Sequence, residues 1–239
     1  MARLLVDGKT TATEDAYNSI MDLILNQQLR IGERTSVNLL AARLDVGLTP
    51  VKEAIIRLRS EGILAVAERS GTTVREVNGS EALQMFTVRH LLEDLASDAA
   101  AEHASLSQIK QVFDLLKMLR KLSADRLTRS SAHFVRANAA FHSAIVSASG
   151  NYFVSRLYDQ MQIQAQIMTY LLHHRDDPAA ASRRQREHEQ IAEALRARNG
   201  KLLKQLLREH TKESEQHIKK KIPNPSSDRP SIRGQAIAS

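Results

Sequence analysis

The stretch VGLTPVKEAIIRL, residues 46–58, decides the fold of the amino-terminal third of the chain. Its apolar residues recur at the i, i+3, i+4 and i+7 spacing of a helix buried on one side, and Pro50 stands in the first turn, where no amide partner is needed. Thr49, Lys52 and Glu53 fall on the opposite, polar face. A short helix of this kind, entered through a turn, is built like a DNA-recognition helix. The apolar positions are Val51, Ala54, Ile55 and Leu58.

The segments on either side of this helix predict a winged helix. A second short amphipathic pattern precedes it, and the residues between the two form a glycine-containing connection of helix-turn-helix length. Downstream, Glu61-Gly62 suits the end of a helix, and two strand-like runs flank a tight basic turn. The predicted elements are helices at 16–28 and 37–44, the connection 45–47, the recognition helix, and strands at 63–67 and 72–77 around Arg69-Ser70-Gly71.

Residues 14–77 resemble the DNA-binding domain of GntR-type transcription regulators, whose usual run here is Val-Ser-Arg-Thr-Pro-Val-Arg-Glu-Ala. In this chain Gly47 and Leu48 stand in place of Ser and Arg, and Lys52 replaces an Arg. Arg grips guanine with two donors, whereas Leu packs only on a thymine methyl and Lys offers a point charge, so the family's usual operator does not carry over. The resemblance implies contact with double-stranded DNA through Arg34, Asn38, Gly47, Leu48, Thr49, Lys52, Arg69, Ser70 and Gly71.

The net charge of +7 does not by itself indicate nucleic acid. Residues 1–79 hold ten basic and ten acidic side chains, whereas residues 80–222 hold 22 basic and 16 acidic ones. DNA contact therefore depends on a few well-positioned cations, because each one that docks on a phosphate releases counterions. The candidates are Arg34, Arg43, Lys52, Arg57, Arg59 and Arg69, of which Arg59, and to a lesser degree Arg57, also fit an ordinary solvated helix face.

Length and composition exclude several classes of protein. A chain of 239 residues can bury one or two cores, and the absence of cysteine excludes disulfides and thiolate metal sites. No apolar run approaches the roughly 18 residues of a membrane helix, and no secretory signal begins the chain. We therefore expect a soluble, cytoplasmic protein that does not associate with membranes.

From residue 80 onward glycine and proline become rare and the sequence forms long periodic blocks, which predicts an all-helical antiparallel bundle. The expected fold class is mainly α, a winged helix-turn-helix followed by a bundle of about six helices. These helices are expected near 80–102, 106–127, 130–148, 151–174, 179–198 and 201–220. The expected organisation is a flexible N-terminus (1–13), a winged helix (14–77), the bundle (80–221) and a disordered tail (222–239).

Three histidines and an asparagine are expected to meet inside the bundle. Asn138 and His142 are one turn apart on one helix, and His188 and His210 are each eleven residues from Asn199 in the turn between the last two helices. Residues equidistant from the turn of an antiparallel hairpin lie at the same height. Three imidazoles and an amide oxygen suit Zn²⁺, Ni²⁺ or Mn²⁺ with positions left for water or a ligand. A hydrogen-bonded histidine pair in a helical core is the alternative.

Residues 80–220 look like the FCD effector domain of the FadR branch of GntR-type regulators. In that domain an Asp, sometimes Asn, a His four residues later within a Phe-His pair, and two further His bind metal. Asn138, Phe141-His142, His188 and His210 match this pattern, which implies a divalent metal on Asn138 and the three histidines. Asn in place of Asp removes one negative charge, which should weaken metal binding and strengthen the attraction for an anion.

Arg89 matches an arginine that faces the effector cavity in this family and is expected to clamp the carboxylate of a small acid bidentately. An ion pair with Glu93, four residues on, is the alternative. Four glutamines on one predicted helix could line a polar cavity or form a solvated face. They are Gln160, Gln162, Gln164 and Gln166.

The resemblance implies a homodimer whose two recognition helices enter successive major grooves of a palindromic operator, about 34 Å apart. A carboxylate effector would relieve repression, although activation is also compatible with the sequence. Metal itself as the signal, or an anion held by the histidines without metal, are alternatives. Residues 188–192, HEQIA, begin like a zinc-protease motif, but Ala192 stands in place of the second His, so no enzyme is expected.

Overall fold

A computed structural model describes residues 11–66, 71–76, 79–124, 132–172 and 178–221. Within these ranges the chain forms nine helices and three short strands. The helices are α1 (Ala12–Leu25), α2 (Val37–Leu44), α3 (Leu48–Ser60), α4 (Gly79–His103), α5 (Leu106–Ser123), α6 (Ala132–Ser147), α7 (Tyr152–Leu172), α8 (Pro178–Arg196) and α9 (Gly200–Lys221), and the strands are β1 (Arg34–Thr35), β2 (Leu64–Val66) and β3 (Thr72–Val74).

The mainly α fold predicted from the sequence, a winged helix followed by a helical bundle, is confirmed. Strands β2 and β3 pair antiparallel, with Leu64 opposite Val74, and are shorter than the predicted runs 63–67 and 72–77. The sequence did not indicate β1, which adds to the other edge of β3 and pairs Arg34 with Thr73. Arg69 and Ser70, in the predicted wing turn, lie outside the described residues.

The apolar stripe that predicted the recognition helix is buried, since Val51, Ala54, Ile55 and Leu58 are at most 4% exposed. It packs on α1, which begins at Ala12 rather than at the predicted residue 16. The Thr11 side chain accepts a hydrogen bond from the Glu14 amide and caps the extra turn. The helix ends three residues earlier than predicted, because Gln27 adopts a left-handed conformation with φ of 57°.

The bundle consists of α4 to α9, close to the predicted bounds. Ser105 and Gln108 form a capping box at the start of α5. Helix α8 stops at Arg196 rather than at residue 198, because Arg198 is left-handed with φ of 60°. Helices α6 and α7 form one antiparallel hairpin, α8 and α9 form another, and α4 runs antiparallel to α9 with His90 bonded to Thr211 and Asp94 to Arg208.

Helix α6 contacts both halves of the chain. Its Ala132, Val135 and Ala139 share a core cluster with the winged helix. Its Ala137 and Phe141 belong to the core of the bundle. Helix α6 therefore positions part of the bundle against α1. Among the helices in the described ranges, none is long and apolar enough to cross a membrane.

Candidate effector site and nucleic-acid interface

The three histidines expected to meet do come together, one from each of α6, α8 and α9. The ligand atoms of His142, His188 and His210 all lie within 4.8 Å of one another. The Nε2 atoms of His188 and His210 are 3.1 Å apart, and the His142 ring centroid lies 5.3 Å from that of His188 and 5.0 Å from that of His210. His142 and His188 are buried, and His210 is half-buried.

Burial keeps the imidazoles of His142 and His188 neutral. It holds the pKa of His142 well below the usual value, and the positive charge of Arg89 adds to the effect. Burial likewise lowers the pKa of His188, with contributions from His210 and Arg184. The Nδ1 atom of His210 lies 2.8 Å from Glu187 Oε2, which assigns the proton to Nδ1 and turns the lone pair of Nε2 toward the other two rings.

These histidines fit a divalent metal. Two nitrogens bound to one ion at roughly 2.0–2.1 Å lie about 2.9 to 3.4 Å apart for angles between octahedral and tetrahedral. The 3.1 Å between His188 and His210 falls in that interval, although one protonated and one unprotonated nitrogen could also hydrogen-bond at this distance. Neither ring nitrogen of the fully buried His142 has a hydrogen-bond partner among the described residues, which favours a group shared by all three rings.

Asn138, the expected oxygen ligand, is buried one turn before His142 on α6. Its amide is neutral, so an ion bound here would have no negatively charged ligand among the four residues of the predicted set. The carboxylate of Glu187 contacts His210 at Nδ1, on the side of the ring away from the other two imidazoles.

Arg89 lies in a buried polar group on α4 and α7. Its Nε donates to Glu93 Oε1 at 2.8 Å, and the Tyr158 hydroxyl donates to the same oxygen at 2.6 Å. Burial disfavours the charge of Arg89, but Glu93 more than offsets this, and the pKa of Arg89 is raised. The ion pair with Glu93 that the sequence offered as an alternative is therefore present. It occupies Nε, while Nη2 has no hydrogen-bond partner within the described part of the chain.

The glutamines of α7 divide between solvent and interior. Gln160 is exposed, whereas Gln162 is 1% exposed and neither of its amide atoms has a hydrogen-bond partner among the described residues. The side chains of Gln164 and Gln166 lie outside the described set.

The predicted DNA-contacting residues that the structure describes are all exposed. Gly47 caps α3 without a side-chain hydrogen bond, so the first amides of the recognition helix are open to a phosphate or base. Gly71 has φ of +107°, and a Cβ there would lie 3.3 Å from the carbonyl oxygen of Thr35, so the wing needs glycine at this point. The exposed residues are Arg34, Asn38, Gly47, Leu48, Thr49, Lys52 and Gly71.

Arg57 does not face the predicted DNA surface. Its guanidinium stacks 3.9 Å from the Tyr17 ring centroid, and it donates to Glu14 at 2.9 Å and to Glu61 at 3.0 Å. The same Glu14, which is 8% exposed, also pairs with Arg136 of α6. We call Glu14, Arg57 and Arg136 the interdomain triad, because it joins α1, the recognition helix and α6.

Further contacts surround the interdomain triad. Arg136 donates to Asn18 at 2.6 Å, and the Ala132 amide donates to Asp22 at 2.5 Å. Sequence reasoning missed this interface because its partners are more than a hundred residues apart. The available signal was a polar set, Glu14 and Asn18, on the side of α1 that also carries buried Tyr17.

Two family matches account for most of the chain. Residues 12–74 match the family of bacterial regulatory proteins called gntR, and residues 84–213 match the FCD domain. The chain belongs to the GntR family and carries an FCD domain. This GntR-family protein is therefore a DNA-binding transcription regulator, and its FCD domain implies a small-molecule effector.

Individual proteins agree with that assignment. An uncharacterized HTH-type transcriptional regulator of Bacillus subtilis, YdhC, is 25% identical over 85% of this chain and 89% of its own. A probable D-xylose utilization operon transcriptional repressor of Paenarthrobacter nicotinovorans is 27% identical over 84% of this chain and 86% of its own. The solved structure of E. coli McbR/YncC shares the fold, with a TM-score of 0.68, 22% identity, and coverage of 89% of this chain and 99% of that one. The relatives named here are regulators of transcription.

Proposed function

We propose that this GntR-family regulator binds a divalent metal such as Zn²⁺, Ni²⁺ or Mn²⁺ through His142, His188, His210 and Asn138, and that a small carboxylic acid joins the same site. The observation that carries the proposal is the convergence of three imidazoles, two of them buried, whose ligand atoms lie within 4.8 Å of one another. Neutral imidazole is the form that ligates metal, and burial favours it here.

The surroundings support an anionic effector. A divalent ion bound by neutral groups keeps its full positive charge and supplies an attachment point for a carboxylate oxygen. Nη2 of Arg89 supplies a second donor, and the raised pKa of this arginine keeps it charged at any physiological pH. Because Glu93 already accepts from Nε, we propose a contact through Nη2 in place of a clamp that uses Nε.

We further propose that α6 carries the signal to the DNA-binding domain. Arg136 lies six residues before His142 on this helix, roughly 9 Å along its axis at 1.5 Å per residue. A ligand that favours one position of α6 moves Arg136, and Glu14 connects Arg136 to Arg57 of the recognition helix. Only a ligand with different affinities for the two positions shifts DNA binding.

A homodimer on a palindromic operator completes the proposal. Val88, Leu91 and Leu95 form an exposed apolar stripe on α4, with 47%, 58% and 68% of their surfaces accessible. Exposed Phe153 and Leu157 lie on α7, which packs on α4 through the cluster of Leu92 and Val154. Apolar patches of this kind are typical of subunit interfaces, and a second copy of the chain supplies a matching one. The relatives named as repressors favour repression that the effector relieves.

Metal analysis of protein purified without a histidine tag tests the site. We expect about one Zn²⁺, Ni²⁺ or Mn²⁺ per chain by mass spectrometry. The metal should be lost in His142→Ala and retained in His103→Ala, which changes an exposed histidine of α4. Metal-free wild-type protein that still binds carboxylic acids with unchanged affinity would support the anion alternative instead. DNA binding that follows metal alone, without any acid, would make the metal the signal.

A further inference from the structure

Gln162 is a buried amide without a hydrogen-bond partner among the residues that the structure describes. It is 1% exposed, and neither Nε2 nor Oε1 has a hydrogen-bond partner in the described part of the chain. Burying an amide without partners is costly, and such groups are rare unless water or a ligand completes them. A core methionine or leucine would avoid that cost, so the amide calls for a group that it can bind.

The helix register puts Gln162 beside the effector site. Val146 and Val154 lie on either side of the α6–α7 turn and share one core cluster, so residues whose numbers add to about 300 lie at the same height in this antiparallel hairpin. Asn138 is then level with Gln162, and His142 is level with Tyr158. The amide therefore lies at the height of the predicted oxygen ligand.

The contacts with α4 lead to the same location. The Tyr158 hydroxyl bonds Glu93, and Arg89 lies one turn before Glu93 on α4. The charge of Arg89 lowers the pKa of His142, and Leu92, three residues after Arg89, shares a cluster with Val146, four residues after His142. Helix α4 therefore runs parallel to α6 and antiparallel to α7. Gln162 follows Tyr158 by one turn on the buried face of α7, and Arg89 precedes Glu93 by one turn on α4, so Arg89 and Gln162 lie within about one helical turn of each other along the bundle. These two buried side chains therefore lie at neighbouring levels of the bundle, and each has a polar atom without a hydrogen-bond partner among the described residues.

The polar atoms of Arg89 and Gln162 that lack partners among the described residues determine which chemical groups a ligand must carry to bind them. Nη2 of Arg89 and Nε2 of Gln162 are donors, and a carboxylate can accept from both. A carboxylate has no proton for Oε1 of Gln162, so that oxygen needs a donor on the ligand. An ammonium group would provide one, but it would carry positive charge toward the Arg89 guanidinium. A hydroxyl group donates to Oε1 without charge.

We infer that Gln162 is a specificity-determining residue that binds a hydroxyl group next to the effector carboxylate, so the effector is a small hydroxycarboxylic acid. This inference rests on the proposed carboxylate-sensing function and narrows it. A site built to bond a hydroxyl rejects the analogue that lacks it, because the buried amide is then left unpaired.

Matched pairs of acids that differ by one hydroxyl group test the inference. Isothermal titration calorimetry of the full-length, metal-loaded protein compares glycolate with acetate and malate with succinate. For at least one pair we expect wild type to prefer the hydroxy acid by about tenfold or more. In Gln162→Met, which keeps the volume and removes both polar atoms, this preference should fall by about tenfold. Gln160→Met, on the exposed face of the same helix, should keep it.

Comparing the hydroxyl preference of wild type with that of the variant separates the contribution of Gln162 from that of a bound metal. Chelation of a hydroxy acid by a bound metal is common to wild type and variant, so it cancels in the ratio of their preferences. Gln162→Met should also melt no lower than wild type, because it removes an unsatisfied buried amide. Gln162→Leu serves as the second variant if the methionine variant does not fold.

The outcomes separate the inference from the proposed function. If acids bind and the hydroxyl preference is the same in wild type and in both Gln162 variants, Gln162 does not read the hydroxyl and the inference fails while the sensing function stands. The same holds if wild type binds acetate and succinate as tightly as their hydroxy partners, which would mean that water satisfies the amide. If neither these four acids nor any other acid of a panel of small carboxylic acids binds wild type at millimolar concentration, the carboxylate-sensing proposal fails together with the inference.

Discussion

Burial decides the chemistry of the individual residues at the proposed effector site. His142 and His188 are 0% and 4% exposed, and this desolvation is the main reason for their low pKa values. Arg89 is almost equally buried but keeps its charge because Glu93 lies 2.8 Å from its Nε. Two neutral imidazoles and a charged guanidinium are therefore buried close together. Neutral imidazoles can bind a metal ion, and a guanidinium can bind an anion.

The buried histidines make the stability of the metal-free protein depend on pH. Their folded-state pKa values lie well below the value of about 6.5 expected in the unfolded chain. Below pH 6.5 the unfolded chain therefore binds more protons, so stability is full above that pH and is lost as the pH falls toward the folded-state values. Urea unfolding in EDTA should give a lower free energy of unfolding at pH 5.5 than at pH 7.5.

A matched variant separates this effect from general acid destabilisation. His142→Asn should reduce the loss between pH 7.5 and 5.5, whereas His103→Asn, at an exposed position, should leave it unchanged. Equal losses in wild type and His142→Asn would show that the buried imidazole stays as easy to protonate as one in water.

At the scale of elements, α6 is the helix that packs in both cores and, in our proposal, links effector binding to DNA binding. One end of it contributes Ala132, Val135 and Arg136 to the winged helix, and its middle contributes His142 to the effector site. A rigid helix shared by two cores transmits a displacement at one of them to the other, because packed interiors deform little.

The interdomain triad should contribute strongly to stability. Glu14→Gln leaves Arg57 and Arg136 without their shared carboxylate, and removing one partner from a largely buried ion pair costs about 3 kcal/mol. Glu53→Gln, whose carboxylate accepts from Thr13 at an exposed position, should change stability by less than about 1 kcal/mol. Urea unfolding of the two variants measures the difference. Equal effects would mean that the triad contributes no more than a surface contact.

A feature of these elements could be predicted from the sequence when the residues that decide it lie close together along the chain. The buried stripe of α3 and the hairpin symmetry of His188 and His210 about Asn199 are set within one helix or one turn, and both were predictable. The start of α1 was misplaced because one capping side chain, Thr11, decides it. The triad and the pairing of Arg89 with Tyr158 and Glu93 were not predictable in full, because they require the relative placement of distant helices.

At the scale of the whole molecule, the surface of the winged helix that we expect to face DNA depends on a few exposed positive charges. Lys52 and Thr49 are exposed on the recognition helix, while Arg57 of the same helix is committed to the triad. This arrangement explains why a chain segment with balanced charge can still bind DNA. We therefore expect Lys52 to contribute more to DNA binding than its single charge suggests.

Substitutions on this surface should weaken DNA binding selectively. We expect Lys52→Ala and Thr49→Ala to weaken binding to a site selected by wild type from a random DNA library, each by roughly 1 to 3 kcal/mol. Arg120→Ala, on an exposed face of α5, should bind like wild type. Fluorescence anisotropy at one fixed salt concentration provides the affinities. Unchanged affinity in both α3 variants would contradict the assignment of the recognition helix.

The central claim is that occupancy of the histidine site changes DNA affinity through α6. The most direct measurement is the anisotropy affinity of metal-loaded protein for its selected site, with and without a saturating acid chosen by thermal shift from a panel of small carboxylic acids between glycolate and citrate. We predict at least a fivefold change in wild type. In Arg136→Met the acid should still bind, but the change in DNA affinity should be lost. Wild-type affinity that is identical with and without bound acid would contradict the account.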